Sequence, residues 1–510
     1  MRKTPTALVA PIAAILLAAT SARADIDVDW GAYLENDLRL AVDRVDEIGF
    51  NRNETALGVG LKAGLMPDRL RFVGDLKFVW VGFTTDTEFE GLTTRASVSP
   101  YYLESSAAYI EVISLFPWVD VRIGRQVVQW GAADMFNPTN NLNALDLEDP
   151  IKFGETVANE MIRVDWNPEG GDFVLTAVWV PLFQPALLPQ SALLAIGDPT
   201  SKFPFVDPAV RRDAEKLRNV WLSNDKYYVV DQPTVNADMP EFSLENSQFA
   251  VKAQWLVGMF DMSISYFQGF DTIPVPASSE SSTHGTGRVT DDGTPILGVA
   301  SDVRVVYPEK KVLGFDMAGQ LPFLDDAGIW FEGAFVFPEE VVFEFDVSKV
   351  AAGARVLSGP SVKGDPYFQC TLGMDYTINK YIFVNAQYLH GFVDEFGSSH
   401  IHDYWVAGFD LKFMQERLLV RIFGIGEIPH EDDDLNLDED GDGNVDSFAI
   451  GATNDGTISS YVIHPSIAVK PMDGLELALG GYFLFGHDES KFAQPAAGPS
   501  LAFLRAKASF

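Results

Sequence analysis

Apolar and polar residues alternate with a period of two along most of this chain, in segments of about ten residues. The last segment, Leu501 to Phe510, is typical. Ala502, Leu504, Ala506, Ala508 and Phe510 share one face, and Phe503, Arg505, Lys507 and Ser509 the other. Only a strand puts every second side chain on one side. The same pattern marks 26–40, 53–65, 69–83, 104–113, 117–130, 157–166, 172–181, 247–255 and 259–268. It continues at 310–321, 328–337, 367–376, 381–390, 401–413, 416–426, 458–469 and 474–485. That makes eighteen with the last, and their connections alternate between short and long. Short ones include Met66-Pro67-Asp68, 167–171, 377–380 and 471–474; the long ones are 131–156, 182–246, 269–309, 338–366 and 427–457. Ten residues tilted by about 40° rise on the order of 25 Å, the height of a bilayer's apolar core. The expected fold is all-β: a single antiparallel transmembrane β-barrel over 25–510, with about 18 strands. Short periplasmic turns would lie on one rim and long extracellular loops on the other. With an even count both chain ends belong on the short-turn rim.

Aromatic residues support two interfaces. Trp166, Trp255, Tyr376, Phe413 and Phe510 fall at the short-turn ends of their strands. Trp80, Trp179, Tyr266, Phe337, Tyr388, Trp405, Tyr461 and Phe485 fall at the long-loop ends. Amphipathic rings gather where hydrocarbon meets water.

The opposite face is polar and should line a lumen. Arg69, Arg71, Asp75, Lys77, Arg122, Arg163, Asp165, Lys252, Asp410, Arg417 and Arg421 are its expected charged members, with Asp120, Asp261, Asp316, Glu332 and Asp375 among the acids. Eighteen strands enclose more space than side chains can fill. Because both signs occur, these charges read either as a field across the pore or as ion pairs between neighbouring strands. At the seam, closure should bring Asp27 and Asp29 against Arg505 and Lys507.

Ahead of the strands, residues 1–24 have the features of a cleaved export signal: Arg2 and Lys3, an apolar run from Ala7 to Ala19, and Ala22-Arg23-Ala24 as an A-x-A site. Its loss takes the formal net charge from -35 to -38, which argues against nucleic acid as a partner. The single cysteine, Cys370, cannot form an intramolecular disulfide.

The most distinctive segment is Gly124 to Pro150, GRQVVQWGAADMFNPTNNLNALDLEDP. Arg125 falls out of phase with Arg122, which predicts a bulge. Asn137, Asn140, Asn141 and Asn143 then favour an ordered loop. Arg125, Asp134, Asn137, Asn140 and Asn141 are candidates for a constriction, with a structural plug as the alternative reading. Gly124, Arg125, Gln126, Trp130 and Gly131 resemble a mostly uncharacterised family of Gram-negative barrels whose Gly-Arg-Gln strand ends in Trp-Gly. More distantly, the chain is similar to alginate-export-type eighteen-stranded channels. The terminal strand resembles those of outer-membrane barrels, in which a final Phe, here Phe510, is read by the barrel-assembly machinery. These resemblances imply a porin of the outer membrane, in contact with its lipid and lipopolysaccharide.

Two loops carry further patterns. In 182–246, Asp207 and Pro208 open a helical repeat of Val210, Ala214, Leu217 and Trp221. Its other face carries Arg211, Arg212, Lys216 and Arg218, suited to anionic solutes, acidic loops or lipopolysaccharide phosphates. In 427–457, Asp438, Asp440, Asp442, Asn444 and Asp446 have the spacing of a calcium loop without its final Glu, the position being Ala449. Weak Ca²⁺ binding and a solvated acidic loop are the two readings; no cofactor is required.

Among functions, an enzyme would need a placed nucleophile or base, and neither G-x-S-x-G nor H-E-x-x-H occurs. An energised receptor would need a plug domain before the first strand, where alternation already begins at Ile26. The reading left is a passive diffusion channel for small solutes, general or substrate-selective, with the many aromatics and the long ordered loop favouring selective uptake; the alternative is a non-conducting structural or enzymatic barrel.

Overall fold

The computed structural model describes residues 27–42, 48–66, 69–84, 91–168, 171–189, 191–192, 228–290, 293–350, 356–397, 401–431, 457–486, 490–494 and 497–510. Among them, eighteen staves close into one antiparallel cylinder. The first nine in chain order are Asp27–Ala41, Gly49–Met66, Leu70–Val81, an interrupted fourth, Val119–Gln126, Asn159–Trp166, Phe173–Val180, Gln248–Val257 and Phe260–Phe270. The second nine are Glu309–Leu321, Ala327–Pro338, Tyr367–Asn379, Ile382–His390, Asp403–Phe413, Leu418–Glu427, Ser460–Met472, Leu475–Gly486 and Leu501–Ser509. Every segment with a two-residue period became a stave, with ends moved by a few residues.

The fourth stave is broken into Tyr101–Glu104 and Ala108–Phe116, both paired to the third. The Asp75 carboxylate satisfies the break, accepting from the backbone N–H of Ser106 (2.7 Å) and Ala107 (2.8 Å) and from the Ser105 hydroxyl (3.1 Å).

The first stave pairs with the last, which closes the wall. The acids at the seam differ from those expected. Glu35 lies opposite Lys507, 3.2 Å between charged atoms, and Asp37 lies opposite Arg505. Asp27 and Asp29 extend past the end of the last stave and face only the second, in register with Gly64 and Lys62. Barrel strands tilt, so closure joins them with a stagger and the ends do not meet flush.

Alternate residues face outward as an apolar surface, on which Trp30, Leu34, Leu76, Ile110, Ile264, Leu313, Leu372, Leu479 and Leu504 are exposed. Trp80, Trp179, Phe337, Tyr388 and Trp405 are exposed towards the long-loop rim, and Trp166, Phe413 and Phe510 towards the short-turn rim. Among the described residues no helix is long and apolar enough to cross a membrane.

The long connections hold a second sheet that was expected to be loop. Its six strands are Tyr228–Val230, Thr234–Asp238, Val275–Val289, Pro295–Val306, Val341–Lys349 and Val356–Val362. It buries Val275, Val341 and Val362 with Ile273 and Phe396. Val275–Val289 is rich in Ser, Thr and Gly, so no two-residue apolar period announces it. The export signal, the basic helical repeat at 207–221 and the calcium-type spacing at 438–446 lie outside the described residues.

Candidate functional site

Arg71, Asp75, Lys77, Arg122, Arg163, Asp165, Lys252, Asp410 and Arg421 occupy inward register positions, with Arg122 opposite Arg163 and Asp410 opposite Arg421. Most of these cations have a carboxylate partner close by. Lys77 meets Glu104 (2.7 Å), Arg122 meets Glu111 (2.8 Å), Arg163 meets Asp165 (2.8 Å), Lys252 meets Asp316 (3.3 Å) and Arg421 meets Asp410 (2.7 Å). Arg71 is more distant from its partner, at 3.6 Å from Glu111. Of the two readings of these charges, ion pairing fits the geometry: Lys77, Arg122 and Arg421 pair across neighbouring staves, Arg163 pairs within its own stave, and Lys252 reaches from the eighth stave to the tenth. Arg69 and Arg417 are corrections: both sit in exposed turns at the short-turn rim, where the strand period no longer governs direction.

Residues 127–158 fold back into the cylinder, and the motif glycines make this possible. At Gly124, φ is +129°, and a Cβ there would meet the Ala108 carbonyl. At Gly131, φ is +95°, and a Cβ would occupy the space of the Glu332 carboxylate. The fifth stave stops at Gln126 because Asn143 takes over its ladder. Asn143 accepts from the Val128 N–H (2.8 Å) and donates to the carbonyls of Gln126 (3.2 Å) and Val157 (3.0 Å). Asn140 accepts from the Trp130 N–H at 3.2 Å, and Asn141 donates to the Pro138 carbonyl at 3.0 Å. Trp130 and Leu142 then pack on inward Val178, Val180, Phe267, Val312 and Val336.

Three polar anchors fix this loop to the wall. Glu332, fully buried on the eleventh stave, accepts from the backbone N–H of Ala132 (2.9 Å), Ala133 (3.1 Å) and Thr139 (2.8 Å). It also accepts from the Thr139 hydroxyl (2.7 Å) and the Asn137 amide (3.2 Å). On the twelfth stave, the Thr371 hydroxyl donates to the Phe136 carbonyl at 2.8 Å. On the first, Arg39 is 2% exposed and donates to both oxygens of Asp149 (2.5 and 2.7 Å) while also bonding Asp37. Burial alone would raise the Asp149 carboxyl, but the hydrogen bonds and charge of Arg39, with Lys152 and Arg52 nearby, leave it below the ordinary carboxylate value. The strand pattern marks Glu332 only as one acid among several in the lumen, and it singles out neither Arg39 nor Asp149. A buried arginine partnered across 110 residues leaves no trace in spacing.

Arg125 is the main correction at the site. The register runs unbroken from Val119 to Gln126 against the sixth stave, so there is no bulge. Arg125 therefore lies on the outer face with Glu160, 3.1 Å away, and donates to the Ser105 carbonyl at 2.7 Å beside the break in the fourth stave. Asp134 borders two cavities inside the cylinder. One, of about 510 Å³, is walled largely by the loop, its four asparagines included, with Asp271, Lys310 and Gln369. The other, of about 590 Å³, lies towards the thirteenth to seventeenth staves. Met135, Phe136, Phe153, Phe392 and Val393 border both, forming a septum with Asp134.

A second inward turn, 391–397, is held by Glu395, which accepts from the Phe392 N–H (2.8 Å) and the Tyr404 hydroxyl (2.5 Å) and meets His402 at 2.9 Å. The strand pattern leaves 391–400 only as a connection between two staves, and nothing in GFVDEFG signals a turn inward.

No family model matches this chain, and no curated protein matches it. Among solved structures it is similar to OccAB3 of Acinetobacter baumannii, at 12% identity over 95% of this chain and 99% of that one, with a TM-score of 0.46. It is also similar to OccK8 (OprE) of Pseudomonas aeruginosa, at 10% identity over 95% and 98%, with a TM-score of 0.45. A third is the outer membrane protein OpdK of Pseudomonas aeruginosa, at 9% identity over 95% and 99%, with a TM-score of 0.45. With likeness this distant, function has to be read from this chain's own geometry.

Proposed function

We propose that this protein is a passive, substrate-selective channel of the Gram-negative outer membrane, with residues 127–158 as its constriction. The observation that carries this reading is a closed cylinder with an apolar outside and a charged interior, divided by a septum between two cavities. Closure pairs the last stave with the first, and a sheet closed on itself is what lets strands cross hydrocarbon. Aromatic residues at both rims suit the two membrane interfaces. The short-turn rim is then periplasmic, and the six-stranded sheet lies on the outside of the cell, where lipopolysaccharide would surround it.

The Asp134 carboxylate and the loop's amides offer polar contacts to a passing solute, while the paired charges of the wall hold the lumen in shape. Reconstitution into planar bilayers tests the reading. Discrete, ohmic conductance steps are expected, small for an eighteen-stranded pore because the loop occupies the lumen. Complete absence of conductance would overturn it and return the protein to the non-conducting class.

A further inference from the structure

Three segments that the wall does not need each bring phenylalanine to one place. Phe136 and Phe153 come from the loop 127–158, Phe392 from the inward turn, and Phe492 from 490–494. Phe136 and Phe153 stack at 5.0 Å between ring centroids; Phe392 lies 5.6 Å from Phe136, 5.7 Å from Phe153 and 5.6 Å from Phe492. Together they wall the cavity of about 590 Å³, inside the range of ~300–1,000 Å³ that takes one drug-sized molecule.

Such a surface does nothing for hydrated ions, since apolar constrictions shed water and hinder their passage. It suits a solute that carries a ring of its own, which can adopt the offset or edge-on contacts the phenylalanines already make. Charge narrows the class further. The acids on the cavity are Asp134, Asp394 and Asp410, against the cations Arg421 and Lys491. Arg421 gives Asp410 two hydrogen bonds of 2.7 Å, and Lys491 is paired with Asp394. Cations are therefore not in excess, and an anionic solute would gain no attraction here. At the polar edges, Asn385 and Gln494 offer amides to hydroxyl groups.

We infer, resting on the channel reading above, that the favoured solute is a neutral, hydroxylated organic molecule with an aromatic body. The aromatic cavity is its binding station on the way through.

Swelling of proteoliposomes in phenyl β-glucoside and in methyl β-glucoside tests this, with planar-bilayer conductance measured on the same preparation. The two solutes share a head group, and the larger one carries the ring. Entry of the phenyl glycoside is expected to be faster by about two- to tenfold, the factor one aromatic contact is worth. Phe392→Leu keeps an apolar side chain and removes the ring, so it should lower that ratio; Phe492→Leu should do the same from a different segment and serves if the first variant fails to fold. Conductance with the methyl glycoside entering faster, or a ratio unmoved in both variants, would overturn the inference and leave the channel intact. No conductance and no entry of either glycoside would overturn the channel itself, and the inference with it.

Discussion

The two sides of this barrel's interior are organised by different forces. On the first six staves, inward side chains are largely ions in pairs: Arg39 with Asp37 and Asp149, Lys77 with Glu104, Arg122 with Glu111, Arg163 with Asp165. On the thirteenth to sixteenth, beside the Arg421–Asp410 pair, an apolar cluster forms: Leu389, Tyr404, Val406, Ile425 and Val462 pack with Phe136, Phe392 and Phe492. Ion pairs depend on geometry and on exclusion of water. Apolar packing is non-directional and follows the area removed from water. The loop 127–158 touches both sides. Its charged contacts fix where it lies, and its aromatic contacts decide what surface it presents to the lumen.

Removing the central anchor puts that division to its hardest test. Glu332→Ala leaves five donors of the loop without their acceptor, and each buried donor so orphaned costs ~1–3 kcal/mol. A loss above about 4 kcal/mol is expected, allowing for relaxation and water entry. It should be visible as a fall in the unfolding midpoint in detergent, with larger single-channel conductance as the loop leaves the lumen. If conductance stays at the wild-type value, the aromatic side positions the loop unaided and the division fails.

The wall was legible in the sequence because a strand buried on one face writes a two-residue period. Leu501 to Phe510 was read correctly residue by residue: Ala502, Leu504, Ala506 and Ala508 outward, and Phe503, Arg505 and Lys507 inward. What occupies the interior was much less so. Asn140, Asn141 and Asn143 signalled an ordered loop, and the loop is ordered by their hydrogen bonds. Nothing in a single strand pattern tells Glu332 from Asp316, since both are inward acids on neighbouring staves. Arg125 misled because a change of phase after Arg122 resembles a bulge; the irregularities lie on the neighbouring fourth stave, at 105–107 and between Val112 and Phe116.

The anchor at the seam should count for less, because Arg39 has a second carboxylate. Asp149→Ala removes one of two partners and leaves Asp37 in place, for an expected cost of about 2–3 kcal/mol, below that of stripping a buried charge entirely. The same pair predicts a pH dependence. A depressed carboxyl contributes stability above its unfolded value of ~3.9, and that contribution is lost as pH falls through the lower folded value. Wild-type protein should therefore lose stability in acid more steeply than Asp149→Ala, as equilibrium unfolding below about pH 4 would reveal. Equal acid sensitivity in the two proteins would show that this pair does not fix the charged side.

Outside the lumen, Arg125 and Glu160 offer a matched control, an ion pair whose surroundings are the apolar outer face. Glu160→Leu alone leaves a guanidinium facing hydrocarbon and should cost ~2 kcal/mol. Converting both to Leu should recover that loss, since apolar replacements of a desolvated pair are often neutral or stabilising by ~1–4 kcal/mol. Unfolding from lipid bilayers is the measurement. A double variant no better than the single one would mean that the Ser105 carbonyl, 2.7 Å from Arg125 Nε, stabilises the broken fourth stave more than the carboxylate does.

The smallest effect belongs to the partly exposed pairs of the lumen. Lys77 and Glu104 are 27% and 43% exposed, so breaking their bond by Lys77→Gln should cost only ~0.2–1 kcal/mol. Permeation should register it more clearly than stability. With Lys77 neutral, Glu104 adds an uncompensated negative charge to the wall, and the reversal potential in a salt gradient should move towards the value for cations. Screening sets the range of that field: ~10 Å at 0.1 M salt and ~3 Å at 1 M. The shift should therefore shrink as salt is raised, whereas a change caused by altered pore width would persist. A shift independent of salt would mean that Lys77 acts through the shape of the third stave, and the ion-paired side would then be a steric frame like the aromatic one.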